Sequence, residues 1–181
     1  MTDIHLRKRH RLRRKEIMSL SSRIDSSLGT KSFSEEDTVD MAEGPDYEVI
    51  FVGGKILAFL PSGEPFLTVR GLLKYGATKR FVTVDMGAVK FVYNGADVMG
   101  PGISEVDLGV KVGDLVWVRD ERNKRPLSVG RALVGAESMA RKEKGKAVSA
   151  MHHVGDKLWQ LDEPKEKEPE AGSDEDEGEE E

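Results

Sequence analysis

A glycine-punctuated stretch between Val84 and Ile103, VDMGAVKFVYNGADVMGPGI, constrains the fold of this chain more than any other segment. Two Gly-Ala pairs, Gly87-Ala88 and Gly95-Ala96, stand eight residues apart, and Gly100-Pro101-Gly102 follows them. Glycine lacks a Cβ, so it lets the backbone turn sharply or come close to another molecule. Apolar residues are interspersed with these glycines, and the combination predicts a shaped surface rather than a flexible linker.

Charge is distributed unevenly along the chain. Residues 162–181 carry 12 acidic and two basic side chains, whereas residues 1–161 carry 26 basic and 21 acidic ones. The body is therefore mildly basic, although the whole chain has a formal net charge of −5. This asymmetry favours contact between the body and a nucleic acid. Because residues 162–181 contain too few apolar side chains to offset the entropy of ordering, we expect a disordered acidic C-terminal tail.

Seven positive charges fall between residues 7 and 15, in the sequence RKRHRLRRK. In an extended conformation Arg7, Arg9, Arg11 and Arg13 would share one face, since strand side chains alternate. In a helix Arg7, Arg11 and Arg14 would do so, and the sequence leaves both geometries open. Either geometry gives a basic stripe, so the first four arginines are candidate phosphate contacts. A solvated terminal segment is the alternative.

The first 77 residues are predicted to form a small α/β unit. Apolar side chains recur on one face of a helix over residues 14–28, and Gly29 is placed to end it. Strands are predicted over residues 47–52 and 55–60, joined by a tight glycine turn. Thr68 can cap a short helix that ends near residue 76.

The next part of the chain, residues 78–161, alternates short apolar runs with turn residues. Several short strands with two brief helices predict a small barrel. The strands are expected at 81–84, 112–119, 126–134, 146–153 and 157–161, and the helices at 87–93 and 136–144. The whole chain is thus predicted to be an α+β protein.

Motifs for catalysis or cofactor binding are not found. The chain contains neither GxxxxGK[ST] nor GxGxxG, and it has no cysteine for a thiolate site. His152 and His153 would point to opposite faces of a strand, which is a poor arrangement for a metal. Asp85 precedes the first Gly-Ala pair, where stabilising a turn is the expected role for an aspartate. We therefore expect no enzyme activity, no metal and no cofactor. The chain contains no run of 18 apolar residues, so the sequence predicts no membrane-spanning helix.

The order of several motifs resembles the PUA domain, the RNA-binding module named after pseudouridine synthases and archaeosine transglycosylases. The resemblance runs from Lys79 to Leu161 and rests on VTVDMGAVKFVYNGADVMGPGI, VGDLVWV, RPLSVGRAL and KGKAVSAMHHVGDKLWQL, in that order. The preceding GGKILAFLPSGEPFLTVRGLLKYG resembles the pre-PUA domain of the malignant T-cell-amplified sequence family, in its archaeal form. The resemblance implies a pre-PUA domain over residues 1–77 and a PUA pseudo-β-barrel over residues 78–161.

The same resemblance implies an RNA-binding surface on the glycine-rich segment. It comprises Gly95, Ala96, Asp97, Val98, Met99, Gly100, Pro101, Gly102 and Ile103. Nearby cations are candidate phosphate contacts, namely Lys90, Arg141, Lys142, Lys144 and Lys146. Each of these residues also has an alternative role that involves no RNA. A glycine can simply form a tight turn that the fold requires, and a cation can simply be solvated at the surface.

The family's eukaryotic members are translation factors that pair with density-regulated protein on the small ribosomal subunit. The resemblance thus implies a cytoplasmic, non-catalytic RNA-binding protein in translation that contacts small-subunit rRNA or a tRNA acceptor end. The expected partners are RNA, the ribosome and a protein resembling density-regulated protein, with no membrane. Two alternatives stay open: a protein-interaction adapter, and an accessory subunit of an RNA-modifying enzyme.

Overall fold

The computed structural model describes residues 4–163, which form two sheets bordered by short helices. Residues 164–181 of the predicted disordered tail lie outside the described residues. The first half contains β1 (Arg7–Arg11), α1 (Arg14–Leu28), β2 (Val39–Glu43), β3 (Tyr47–Val52), β4 (Lys55–Pro61), β5 (Phe66–Leu67) and α2 (Val69–Tyr75).

The second half begins at β6 (Phe81–Val84) and α3 (Met86–Tyr93). It continues through β7 (Val98–Met99), a 3₁₀ turn (Gly100–Gly102), β8 (Ile103–Val106), β9 (Leu115–Asp120), β10 (Pro126–Ala132), α4 (Ala136–Ala140), β11 (Lys146–His153) and α5 (Lys157–Gln160). None of the helices between residues 4 and 163 is long and apolar enough to cross a bilayer.

The first sheet is antiparallel, with the strand order β1-β2-β3-β4-β5. Helix α1 buries Ile17, Leu20, Ile24 and Leu28 in the same apolar cluster as the sheet residues, as its periodicity predicted. The helix ends where expected, because Gly29 adopts a left-handed conformation with φ of 62°. A residue with a Cβ adopts this conformation only at a cost, and glycine adopts it freely.

The second sheet has the order β7-β11-β10-β9-β6-β8 and forms the nearly closed pseudo-barrel that the sequence predicted. Strand β6 runs parallel to β9 and antiparallel to β8. The interior of the pseudo-barrel is filled by small branched side chains such as Val84, Val116, Val118 and Val148, all fully buried. This mixed sheet with short helices at its rim confirms the α+β class.

Polar contacts join the two halves of the chain. His152 of β11 is buried, its Nε2 accepts the backbone N–H of Val69 at 3.1 Å, and its Nδ1 donates to Asp156 Oδ2 at 2.9 Å. Glu64 of the first half receives both Arg80 and Arg131 from the second half. The first apolar cluster also includes Leu115, Trp117 and Val129 of the second half, so the two halves pack against each other. The predicted domain boundary at residues 77 and 78 stays a prediction.

The end of the described chain differs from the sequence-based expectation. Residues 157–161 were predicted to be a strand, which is wrong, because Asp156 Oδ1 accepts the N–H of Trp159 and caps helix α5. Asp162 and Glu163 were assigned to the disordered tail. Instead, they form ion pairs with Arg70 of α2, and Asp162 also accepts a backbone N–H from the first sheet. The C-terminal end of the body is thus pinned to the first half.

Candidate nucleic-acid interface

Helix α3 and the glycine-rich segment after it form one continuous surface on the second sheet. Asp85 begins the helix, since its Oδ1 accepts the N–H of Ala88 at 3.0 Å, which is the local backbone-bonding role predicted for it. Gly95 then turns the chain with φ of 97°. Strand β7 follows and pairs antiparallel with β11, placing Met99 opposite Lys146. The predicted surface segment is therefore held at the edge of the pseudo-barrel.

Two glycines of this segment are required by the fold itself. A Cβ on Gly100 would lie 1.7 Å from the carbonyl oxygen of Glu143, and the N–H of Gly100 donates to Gly145 O at 2.9 Å. A Cβ on Gly95 would lie 2.7 Å from Nε2 of His153. These close approaches are made to the chain's own backbone and side chains, so they account for both glycines without a ligand.

Burial divides the predicted contact residues into two groups. Val98, Gly100 and Ile103 are buried, so they pack the core of the pseudo-barrel and offer little surface to a partner. Ala96, Met99 and Pro101 are exposed, and Gly95, Asp97 and Gly102 are half-buried. The second group presents most of the surface that RNA could contact.

A hollow of about 370 Å³ opens between α3 and β7. It is lined by Ala88, Phe91, Val92, Ala96, Asp97, Val98, Met99, Gly102 and Lys146. Six of the predicted RNA-binding residues therefore meet at one concavity, which is mostly apolar with an acid and a lysine. Such a mixture suits a flat aromatic ligand that carries a charged group.

Phe91 is the principal residue that the sequence-based reasoning missed. Its ring lines the hollow and its side chain is 58% exposed, while Met99 is 48% exposed. The available signal was the composition of α3, MGAVKFVY, in which almost every position is apolar although only Val92 is buried. An apolar helix that leaves its side chains in solvent indicates a binding surface.

The five candidate cations around the hollow differ in how far they are neutralised. Lys146 Nζ lies 3.2 Å from Asp97 Oδ2, and Arg141 pairs with both Glu137 and Glu143. Lys142 and Lys144 are exposed and have no ion pair within residues 4–163. These two lysines, together with Lys90 on α3, are the charges best able to attract an anion.

Asp97 acts as a brace between the glycine-rich segment and β11. Its Oδ1 accepts the backbone N–H of Ala150 at 2.8 Å. This hydrogen bond, aided by Lys146 and opposed by burial, holds the pKa of Asp97 below its ordinary value. The ionised carboxylate partly neutralises Lys146, so Asp97 serves the shape of the surface more directly than it serves an anionic ligand.

The N-terminal arginines lie on the first sheet, away from the hollow. Strand β1 is extended, but only Arg9 and Arg11 share a face, where both reach Asp40, so the predicted stripe of four arginines on one face is wrong. Arg7 lies 3.9 Å from Glu43, beyond a bulge at which Lys8 has φ of 56°. Three of the four predicted phosphate contacts are therefore already ion-paired, and Arg13 stands at the start of α1.

The adjacent histidines serve the fold. The imidazole of His152 lies between Val69 and Asp156, and Nδ1 of His153 faces the carbonyl oxygens of Tyr93 and Val154. Burial opposes ionisation of Asp156, but hydrogen bonds from His152 and two backbone N–H groups lower its pKa overall. Within the described range, no three His, Cys, Asp or Glu side chains are grouped to hold a metal.

Comparison with known proteins identifies the second half and finds relatives that extend over both halves. Residues 80–154 match the PUA domain family. An uncharacterised protein of Methanocaldococcus jannaschii is 37% identical over 158 residues, which is 86% of this chain and 98% of that protein. The crystal structure of a hypothetical protein from Pyrococcus horikoshii is 34% identical with a TM-score of 0.74, covering 85% of this chain and 99% of that one.

Two eukaryotic proteins are also similar. Translation machinery-associated protein 20 of Saccharomyces cerevisiae is 32% identical over 114 residues, which is 60% of this chain and 63% of that protein. Human malignant T-cell-amplified sequence 2 is 34% identical over 120 residues, 63% of this chain and 65% of that protein. The alignment thus spans just under two thirds of each. The chain belongs to the family of PUA-domain proteins that includes the M. jannaschii protein and the malignant T-cell-amplified sequence proteins.

Proposed function

We propose that this protein is a non-catalytic RNA-binding factor of the translation apparatus, which contacts a tRNA acceptor end or small-subunit rRNA through the hollow beside α3. We further propose that it works in the cytoplasm, with the ribosome and a partner resembling density-regulated protein. The name of the yeast relative, translation machinery-associated protein 20, supports the assignment to translation. The resemblance to PUA modules supports RNA as the ligand.

One arrangement carries the proposal: an open apolar hollow lies next to the loop of residues 141–145, which contacts Gly100 and carries two lysines with no ion pair inside the described range. Phe91 and Met99 offer exposed apolar contacts for an unstacked base, and Lys142 and Lys144 can meet the phosphates around it. Base stacking combined with nearby positive charge is the usual basis of single-stranded RNA binding. Nothing among the lining residues supplies a nucleophile beside a positioned base, so the arrangement favours holding RNA over changing it.

The proposal is tested by reversing the two unpaired charges, Lys142→Glu with Lys144→Glu. Binding of tRNA is measured by fluorescence anisotropy over a range of salt concentrations. If both lysines contact phosphates, the log–log salt slope should fall by about 1.4 to 1.8, and the affinity should fall with it. The double variant Lys31→Glu with Lys111→Glu is the matched control. Both lysines are exposed, and the two substitutions change the net charge by the same amount. Equal binding by the two double variants would refute the proposed face.

A second function, that of a protein-interaction adapter, is favoured by a separate groove beside α1. This groove has a volume of about 940 Å³ and is lined by α1 and residues 31–36, with Met18 of α1 53% exposed. A pull-down that keeps one stoichiometric protein after nuclease treatment, and loses it with Met18→Glu, would support the adapter. Turnover of modified nucleosides by the purified protein would instead support the third alternative, a role with an RNA-modifying enzyme.

A further inference from the structure

We propose that a second groove, between β1 and the first turn of α1, binds phosphates of the same RNA, so that the protein grips a folded RNA at two separate faces. This inference rests on the proposed function, because it assumes that the hollow beside α3 holds part of that RNA. It assigns the basic N-terminal segment to the RNA footprint and limits the ligand to RNAs large enough to reach both halves of the fold.

The groove is large and open. Its volume is about 750 Å³. It is lined by His10, Arg11, Leu12, Arg13, Lys15, Glu16, Ser19, Leu20 and Met41. Four of these side chains are cationic or can become so, and all four are exposed. Leu12 and Leu20 are buried and form an apolar floor. A cationic rim over an apolar floor suits a sugar-phosphate chain, which carries both a regular negative charge and an apolar face.

The cations in this groove differ in whether they form ion pairs. Arg11 is held in place by Asp40, which also binds Arg9, so this pair of arginines retains only part of its positive charge. Arg13 and Lys15 make no ion pair within residues 4–163. The acid in the groove, Glu16, accepts the backbone N–H of Arg13 at 3.0 Å, which occupies one of its oxygens. The strongest phosphate contacts are therefore Arg13 and Lys15, and of these only Arg13 belongs to the predicted arginine stripe.

Polar contacts join the two halves of the chain that carry these two faces. Glu64 binds Arg80 at 3.4 Å and Arg131 at 3.3 Å, and buried His152 bonds to Val69 across the same junction. The groove lies on the first sheet and the hollow on the second, with no lining residue in common. A short single strand seated in the hollow would therefore leave the groove empty, whereas a folded RNA can contact both.

The experiment compares two RNAs on the full chain, an intact tRNA and a short single strand ending in CCA. The double variant Arg13→Glu with Lys15→Glu reverses the free charges of the groove. Acidic residues in the first turn of a helix are favourable, so α1 should form normally, and thermal unfolding checks this. Lys31→Glu with Lys111→Glu again matches the change in net charge.

For intact tRNA, the groove variant should lower the affinity at least about tenfold at ~0.1 M salt and reduce the log–log salt slope by about 1.4 to 1.8. For the short strand it should match the control variant. Unchanged or tighter tRNA binding would overturn the inference, and would show that the groove is empty or takes an acidic protein segment such as residues 164–181. An equal loss for both RNAs would overturn it too. If neither RNA binds the unaltered protein, the tRNA form of the proposed function fails, and this inference fails with it.

Discussion

Truncating the exposed apolar contacts of the hollow should separate RNA binding from folding stability. The double variant Phe91→Ala with Met99→Ala removes the two side chains that line the hollow and are also largely exposed, at 58% and 48%. Removing a side chain that packs a core lowers the free energy of unfolding. Removing a side chain that only contacts a ligand changes the free energy of unfolding little and weakens binding of the ligand. The two roles therefore predict opposite patterns of loss.

The magnitudes follow from exposure and from stacking energies. Exposed side chains that pack little contribute within about 0.5 kcal/mol each, so the free energy of unfolding should fall by no more than about 1 kcal/mol. Stacking of one base on an aromatic side chain contributes about 1 to 3 kcal/mol to binding. Removal of Phe91 and Met99 should accordingly weaken binding of a CCA-ended strand by about 5- to 150-fold.

Urea unfolding gives the first quantity and fluorescence anisotropy the second. Leu108→Ala is a suitable control, because Leu108 is 80% exposed and does not line the hollow. It should change neither quantity. The reasoning is refuted if the double variant binds the strand as tightly as the unaltered protein. It is also refuted if the double variant loses more than about 2 kcal/mol of stability, since the side chains would then be structural.

Two further predictions concern the framework of the site. Gly100→Ala should destabilise the protein by about 1 to 3 kcal/mol, because the new Cβ would lie 1.7 Å from Glu143 O. Gly135→Ala is the control and should change stability little, because its new Cβ would lie 3.9 Å from the nearest atom. Equal urea midpoints for the two variants would contradict this account. Asp156 has a pKa lowered from 3.8, so its contribution is present at neutral pH and is lost as the pH falls through the folded-state pKa. Asp156→Asn should thus lower the free energy of unfolding at pH 7 by about 1 to 3 kcal/mol, and urea unfolding should show this difference shrinking in acid.

Local signals predicted much of the fold. The apolar face and Gly29 gave the limits of α1, and Thr68 gave the start of α2, since its hydroxyl accepts the N–H of Gly71 as a cap should. The hairpin at residues 53 and 54 also formed where expected. In each case residues close in sequence determine the structure, so periodicity and capping suffice.

Elements and contacts that depend on residues distant in the sequence were not predicted. Strand β2 (Val39–Glu43) has few β-branched residues and is held by its neighbours β1 and β3. Trp159 looked like part of a core strand, but it is half-buried on a helix with the guanidinium of Arg70 lying 3.9 Å from its ring. The two residues are 89 positions apart, so local sequence gives no sign of the contact.

The candidate site was predicted in place but not in detail. The resemblance pointed to the glycine-rich segment, and the structure groups five of its predicted residues, together with Lys146, around one hollow. Burial of Val98, Gly100 and Ile103, and the pairing of Lys146 with Asp97, depend on how the segment lies against β11. Those facts emerge only from the pairing of β7 with β11.

The most direct test of the central claim is an NMR titration of the isotopically labelled protein with a CCA-ended RNA. The account predicts that the largest amide shifts fall on residues 86–103 and 141–146, with Phe91, Met99 and Lys144 among them. Shifts that leave this surface unchanged while clustering elsewhere, or the absence of any shift at saturating RNA, would contradict it.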